Sequence, residues 1–398
     1  LEIAKQNILS RISNTTGGKL VYRQLDLHWF PQPSIVIKTA KLTLPNHQYF
    51  SLSSLKIYPK ILPLLKGEVQ FKKLEVIEPR SQFSLLDNKR LRAGDIENQA
   101  ILRQLTERII NTLAKPALSH PGLDYVIRDG RIDILTAGSS RLNFENVNAQ
   151  LRYLNDRLHL NINCKSNFGK EMVLSGWVQP DSLAGKGQLQ ISQFQPHMLT
   201  DFFVAVVPFQ MTDSIMNLTI DCESDSPHLI QADLKISGVS LKIQNDSDTA
   251  EITGGNAHAA IKMTPRNTII SLSELSFDTP QMEVSGHLFV DHNGPEVGLE
   301  LSGIDIHIDA LRKSARVIGG GNRGIENIFK IITGGRVPVI TVSGRGRSLS
   351  ELSRIENLTV KGAMVEGRIN IPGPELHLQH VKGNVTIFKG ILRSDSMQ

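Results

Sequence analysis

The chain has 398 residues, with 44 Lys and Arg against 39 Asp and Glu and a formal charge of +5. That length excludes a peptide or a stapled mini-domain and allows two or three domains at roughly 100–200 residues each. Its 40% hydrophobic and 21% charged residues exclude a disordered chain. The small net charge disfavours a global nucleic-acid binder but leaves room for a local basic patch.

The chain opens at Leu1, not at Met, with an amphipathic pattern of Leu1, Ile3, Ile8, Leu9 and Ile12. This start fits a processed terminus or the loss of a preceding anchor, and the residues alone do not separate the two. A strand is expected after Thr16-Gly17-Gly18-Lys19. Trp29-Phe30-Pro31-Gln32-Pro33-Ser34 then leads into Val36, Lys38 and Ala40, with the prolines fixing an extended approach to an edge strand. Pro63 starts a short turn or helix that Gly67 ends, with Leu64 and Leu65 packing under the sheet, and a strand is expected over Val69 to Ile77. Leu102, Leu105, Ile109 and Leu113 lie on one face of a helix over Asp95 to Lys115, which Pro116 ends.

From Leu158 onward apolar residues fall at every second position. Leu158, Leu160, Ile162 and Cys164 alternate with His159, Asn161 and Asn163. The pattern returns at Met172, Leu174, Gly176 and Val178, at Gly187, Leu189 and Ile191, and at Ala232, Leu234 and Ile236. It recurs at Ala257, Ala259, Ile261 and Met263, at Met282, Val284, Gly286, Leu288 and Val290, and at Val365 to Ile371. Period two, broken by turn residues, predicts consecutive antiparallel strands that each bury one face. A branched apolar residue followed by Ser-Gly ends at Gly176, Gly238, Gly286, Gly303 and Gly344. Strand glycines at irregular spacing predict a sheet curved by bulges, a degenerate β-repeat. Helices are expected at 197–207, 308–318 and 324–333.

No motif spells out a reaction. Gly319 to Gly324 matches GxGxxG but lacks a βαβ setting and reads as a turn between helices. No HExxH, CxxC or nucleophile elbow occurs, so neither a metal nor a cofactor is expected, and the chain reads as a non-enzyme. The two cysteines admit one disulfide or none; each sits in an alternating apolar set, which favours two buried free thiols. Leu311 to Arg347 carries eight basic residues, among them Arg312, Lys313 and Arg316, against Glu326 alone. Such a segment suits anionic headgroups or is a solvated helix face; with only Phe329 for stacking, nucleic acid is disfavoured.

The N-terminal motifs come in a fixed succession. Thr16-Gly17-Gly18-Lys19, Trp29-Phe30-Pro31-Gln32-Pro33, Pro63-Leu64-Leu65-Lys66-Gly67 and a strand closing on Glu78-Pro79 follow in order. This succession resembles the amino-terminal region of AsmA-like proteins, with Gly18-Lys19 where that family often has Gly-Arg. Val365-Glu366-Gly367-Arg368-Ile369-Asn370-Ile371-Pro372-Gly373 looks like the family's later β-repeat.

The resemblance implies a mostly β fold: a long curved antiparallel sheet forming an open, taco-like groove, with a few capping amphipathic helices. It implies a periplasmic location, an inner-membrane anchor helix, and a role in moving phospholipid towards the outer membrane, with an envelope protein as a further partner. An oxidising periplasm permits a Cys164–Cys222 bond. The chain then divides into an AsmA-like β region with a helix over 1–120, groove repeats over 121–310, and a basic helical insertion with a later repeat over 311–398. The lipid-facing set is Leu158, Leu160, Ile162, Leu174, Val178, Leu189, Ile191, Leu234, Ile261 and Leu288; Arg312, Lys313 and Arg316 meet headgroups. The competing reading is a closed β-sandwich serving as a scaffold or adhesion module, in which the same residues form a dry core.

Overall fold

The computed structural model describes residues 19–43, 49–66, 70–85, 122–136, 141–202, 209–226, 228–245, 248–294, 296–318, 323–352, 354–371, 374, 376–395 and 397–398. The amphipathic start, the helix expected over 95–115 and the Gly319–Gly321 turn lie outside these residues. The described chain is mostly β and forms two compact units, residues 1–191 and 192–398.

In the first unit β1 (Lys19–His28), β2 (Ser34–Thr43), β3 (Tyr49–Pro59) and β4 (Phe71–Ile77) form an antiparallel ladder. A five-residue helix, α1 (Ile61–Leu65), joins β3 to β4; it begins two residues before Pro63 instead of at it, and Gly67 and the side chains of Leu64 and Leu65 lie outside the described residues. β5 (Arg80–Leu85) continues the line of β4: both pair with β3, and both pair in parallel with β6 (Asp124–Thr136). From there β7 (Arg141–Leu154), β8 (Arg157–Ser166) and β9 (Gly169–Val178) are antiparallel, and β10 (Gly185–Phe194) follows on β9.

Two expectations change here. The sheet is mixed, not purely antiparallel, because β4 and β5 run parallel to β6. β2, which Pro33 precedes, is an interior strand with a partner on either side; among the described residues β1 takes its register from β2 alone.

The second unit is antiparallel throughout. It contains β11 (Gln210–Ser226), β12 (Leu229–Gln244), β13 (Thr249–Thr253), β14 (Asn256–Met263), β15 (Asn267–Phe277), β16 (Met282–Asp291) and β17 (Glu296–His307). β18 (Ile332–Gly346), β19 (Leu358–Ile371), β20 (Leu376–Phe388) and β21 (Ile391–Asp395) complete it. β12 is long enough to pair with β11 on one side and with both β13 and β14 on the other.

α2 (Ile308–Ile318) and α3 (Arg323–Ile331) lie between β17 and β18, and α4 (Leu349–Leu352) lies between β18 and β19. α3 ends two residues earlier than expected, since Ile332 and Thr333 already belong to β18. Pro196–Phe202 forms only a short 3-10 turn, and 203–208 lie outside the described residues.

The bends follow from bulges. In the first unit Thr39, Glu78, Asp129 and Asn146 all have positive φ and sit opposite register shifts or breaks in neighbouring strands. In the second, Asp305, Gly335, Glu366 and His380 mark a similar line across β17 to β20. A bulge bends its strand and increases local twist, so a row of them creases a sheet. Of the Ser-Gly glycines, Gly286 has φ +149, and a Cβ there would lie 2.1 Å from the Glu300 carbonyl oxygen. Glycine is therefore required at this bend, whereas most crease positions are non-glycine residues.

Candidate functional site

The strand registers place apolar residues in rows that cross the strands. In the first unit one row runs Leu25, Ile37, Leu55, Val76, Ile127, Ala149, Ile162, Leu174, through β1, β2, β3, β4, β6, β7, β8 and β9. A parallel row passes through Ile57, Leu74, Tyr125, Leu151 and Leu160. Eight strands spaced at ~4.8 Å give a stripe roughly 34 Å long.

The second unit repeats the arrangement. Ile220, Leu234, Ala259, Leu272, Gly286, Leu301, Val342, Val360 and Ile387 are successive cross-strand partners. Cys222, Ala232, Ile261, Ile270, Leu288 and Leu299 form the row beside it.

Of the ten residues expected to face lipid, Leu158 and Ile191 are buried. Leu160, Ile162, Leu174, Val178, Leu189, Leu234, Ile261 and Leu288 are half-buried. The registers join Ile162 to Leu174, Leu158 to Val178, and Ile261 through Ile270 to Leu288. Val76, Ile127, Ile220, Leu272, Leu299 and Leu301 belong to the same rows but were not singled out from the sequence. Alternation reveals which face a residue takes; only the register reveals its neighbours across the sheet.

The apolar face is sealed in two places. In the first unit Ile37 and Ile57 are fully buried among Ile35, Ala40, Leu52 and Leu55. In the second, α2 and α3 pack on Ile306, Val337, Met364, Ile369 and Val381, and Val317 of α2 also reaches Ile243, Ala250 and Ile252. These contacts lie at one end of the strands, at the close of β17 and the start of β18 and β20. Ile261 of β14, the apolar residues of β15 and those at the centre of β16 are half-open beside this seal, whereas Ala259 of β14 is buried.

The other face is polar and self-paired. Glu75 is buried; the Tyr58 hydroxyl donates to its Oε2 at 3.1 Å, Lys73 lies at 3.4 Å, and Arg128 binds Oε1. Burial pushes this carboxyl up, but the hydrogen bonds from Arg128 and Tyr58 and the Lys73 charge hold it, net, below the usual glutamate value. Arg152 meets Asp124 at 3.1 Å, and the Arg157 guanidinium stacks 3.9 Å over the Trp177 ring. In the second unit His258 Nε2 lies 2.8 Å from Asp233, with Lys235 at 3.6 Å.

The basic segment is less bare than its composition implies. Arg316 pairs with Asp248 at 3.2 Å, Arg345 with Glu296 at 3.7 Å, and Arg336 with Asp305, all acids outside the segment. Arg312 and Lys313 have no ion pair among the described residues, so the expected headgroup trio divides.

Both thiols are free. Cys164 is buried and its thiol is pushed up to about 11 by burial, whereas Cys222 is exposed, contrary to expectation. Cys222 lies in the part of β11 nearest the turn to β12, where the alternating pattern continues but cover does not. Ser214 Oγ accepts the His197 backbone N–H at 3.1 Å and is itself buried, tying the 3-10 turn to β11. Among the described residues no three His, Cys, Asp or Glu side chains are grouped to hold a metal ion, and no helix is long and apolar enough to cross a membrane. No family description and no curated protein matches the chain.

Proposed function

We propose that the protein is a non-enzymatic lipid-binding scaffold of the bacterial envelope, whose apolar sheet face carries phospholipid acyl chains between the inner and outer membranes. The observation behind the proposal is the pair of cross-strand apolar stripes, one in each unit, which are buried at Ile37, Leu55, Ile57, Ala149 and Ala259 but half-open over β8 and β9 in the first unit and over β12 and β15 to β17 in the second. In a closed sandwich the half-open residues would be as buried as Ile37 and Ile57. An acyl chain gains ~0.8 kcal/mol per methylene moved out of water, so a continuous apolar track lowers the barrier to its passage. The stripe of the first unit is longer than the ~30 Å hydrocarbon core of a whole bilayer, enough for an acyl chain to lie across several strands. The AsmA-like motifs of the N-terminal third support the same reading and the periplasmic setting. Within it, Arg312 and Lys313 are the residues that meet anionic headgroups.

Photo-crosslinking residues placed at Leu160, Leu174, Leu234 and Leu288 test the proposal. Phospholipid should be captured at these positions and not at His159 or Asn161, one position away on the polar face. Equal capture on both faces, or none on either, overturns the lipid reading and leaves a dry core.

A further inference from the structure

The exposed apolar side chains of the first unit are concentrated at one end of its strands. Registers fix which turns share that end. Leu27 pairs with Ile35, Ile35 with Ile57, Ile57 with Leu74, and Leu74 with Tyr125. The β1–β2 turn, α1, the β7–β8 turn and the β9–β10 loop therefore lie along one rim. The exposed residues on it are Trp29 at 73%, Phe30 at 90%, Ile61 at 55% and Leu62 at 76%, together with Leu154 and Leu183. Apart from Val21 and Leu27, no other large apolar side chain is exposed among the described residues of this unit. At the opposite end, the β8–β9 turn buries its Phe168.

Charge accompanies this rim. At the β1–β2 turn and α1 the rim has no acid, since the sequence from Trp29 through Lys66 contains no Asp or Glu and Lys60 and Lys66 bracket α1; its acids, Asp156 and Asp181, lie in the β7–β8 turn and the β9–β10 loop, away from this centre. Trp and Phe on a short turn, next to a short apolar helix flanked by lysines, match the interfacial layer of a bilayer: rings and leucines enter the acyl boundary while ammonium groups remain among phosphates. A protein partner would be expected to offer acidic residues to those lysines; an anionic lipid surface offers phosphate at every position. We infer that this rim, centred on Trp29, Phe30, Ile61 and Leu62, is a docking edge for an anionic membrane surface. The inference does not require lipid to travel along the stripes, since it depends only on the turns.

The two tryptophans, Trp29 and Trp177, make the test local. In a Trp177→Phe variant of the full chain, Trp29 emission should shift to the blue on adding phosphatidylglycerol–phosphatidylcholine vesicles and should be quenched by brominated acyl chains. A Trp29→Phe variant, reporting Trp177, which lies near the same rim but is covered by Arg157, should show a clearly smaller shift and weaker quenching. Phe30→Asp with Leu62→Asp should reduce vesicle co-sedimentation by about tenfold or more, since two apolar anchors are lost. Phospholipid capture from detergent micelles at Leu160 and Leu234 should persist in that variant, which separates failure of docking from failure of the groove. Trp29 emission unchanged by vesicles overturns the inference. So does self-association of the chain that the double Asp variant abolishes while vesicle binding stays intact, because the rim would then face a second copy.

Discussion

Glu75 is the sharpest residue-scale case. A carboxylate inside a sheet is costly to bury unless its oxygens are satisfied, and here Tyr58, Lys73 and Arg128 satisfy them. Its pKa is lower in the folded chain than its ordinary value of 4.5, so its contribution is present above that value and fades as pH falls through the folded value. Glu75→Gln should destabilise the protein by about 1–3 kcal/mol at neutral pH, because Arg128 and Lys73 lose their counter-charge. In urea titrations the gap between Glu75→Gln and the parent should shrink as pH drops below 4.5. A gap that is constant with pH would assign Glu75 a packing role alone. The sequence shows Glu75 only as an acid on the polar face of a strand. Its partners come from β3, β4 and β6, and only the register brings them together.

At the scale of elements, α2 is the part that closes the apolar face of the second unit. Ile308, Leu311, Ser314, Ala315 and Val317 face the strands, while Arg312 and Lys313 point elsewhere. Asp309, in its first turn, accepts from the Gly335 backbone N–H at 3.3 Å and pairs with Arg368, anchoring the helix to β18 and β19. Val317→Ala should cost about 1–3 kcal/mol, the range for emptying a fully buried branched site, and thermal unfolding measures it directly. The helical period of 308–318 and the alternation of β8, β12, β14 and β16 were legible because each is local. The creases were only half legible. Glycine signals a bend such as Gly286, but Thr39, Glu78, Asp129 and Asn146 adopt positive φ with no sequence mark, held there by their neighbours in the sheet. Cys222 is exposed for a similar reason: alternation predicts the face, not how much lies over it.

For the whole molecule, the partition of charge matters more than its total. Three of the eight basic residues of the segment, Arg316, Arg336 and Arg345, are already neutralised by Asp248, Asp305 and Glu296, and of the rest Arg312 and Lys313 stand together on α2 to attract anions from outside. Arg312→Glu with Lys313→Glu should weaken binding of phosphatidylglycerol vesicles at low salt and flatten its salt dependence, with the unfolding midpoint unchanged. Arg316→Glu should instead lower the midpoint, since it sets two carboxylates against each other at Asp248. Vesicle binding indifferent to both would remove headgroup contact from this segment. The mostly β class and its one-sided strands could be read from period two. The parallel joint at β6 could not, because both of its neighbours, β4 and β5, alternate as any strand does.

That joint also acts as a parity switch. β5 finishes at one end of the first unit and β6 begins at the other, so strand direction is counted afresh from Asp124. Had β6 run antiparallel to its neighbours, every later hairpin would be inverted. The turns bearing Leu154 and Leu183 would then open on the side away from Trp29. A single strand gained or lost between residues 85 and 124 would therefore split one apolar rim into two half-rims, although no rim residue had changed.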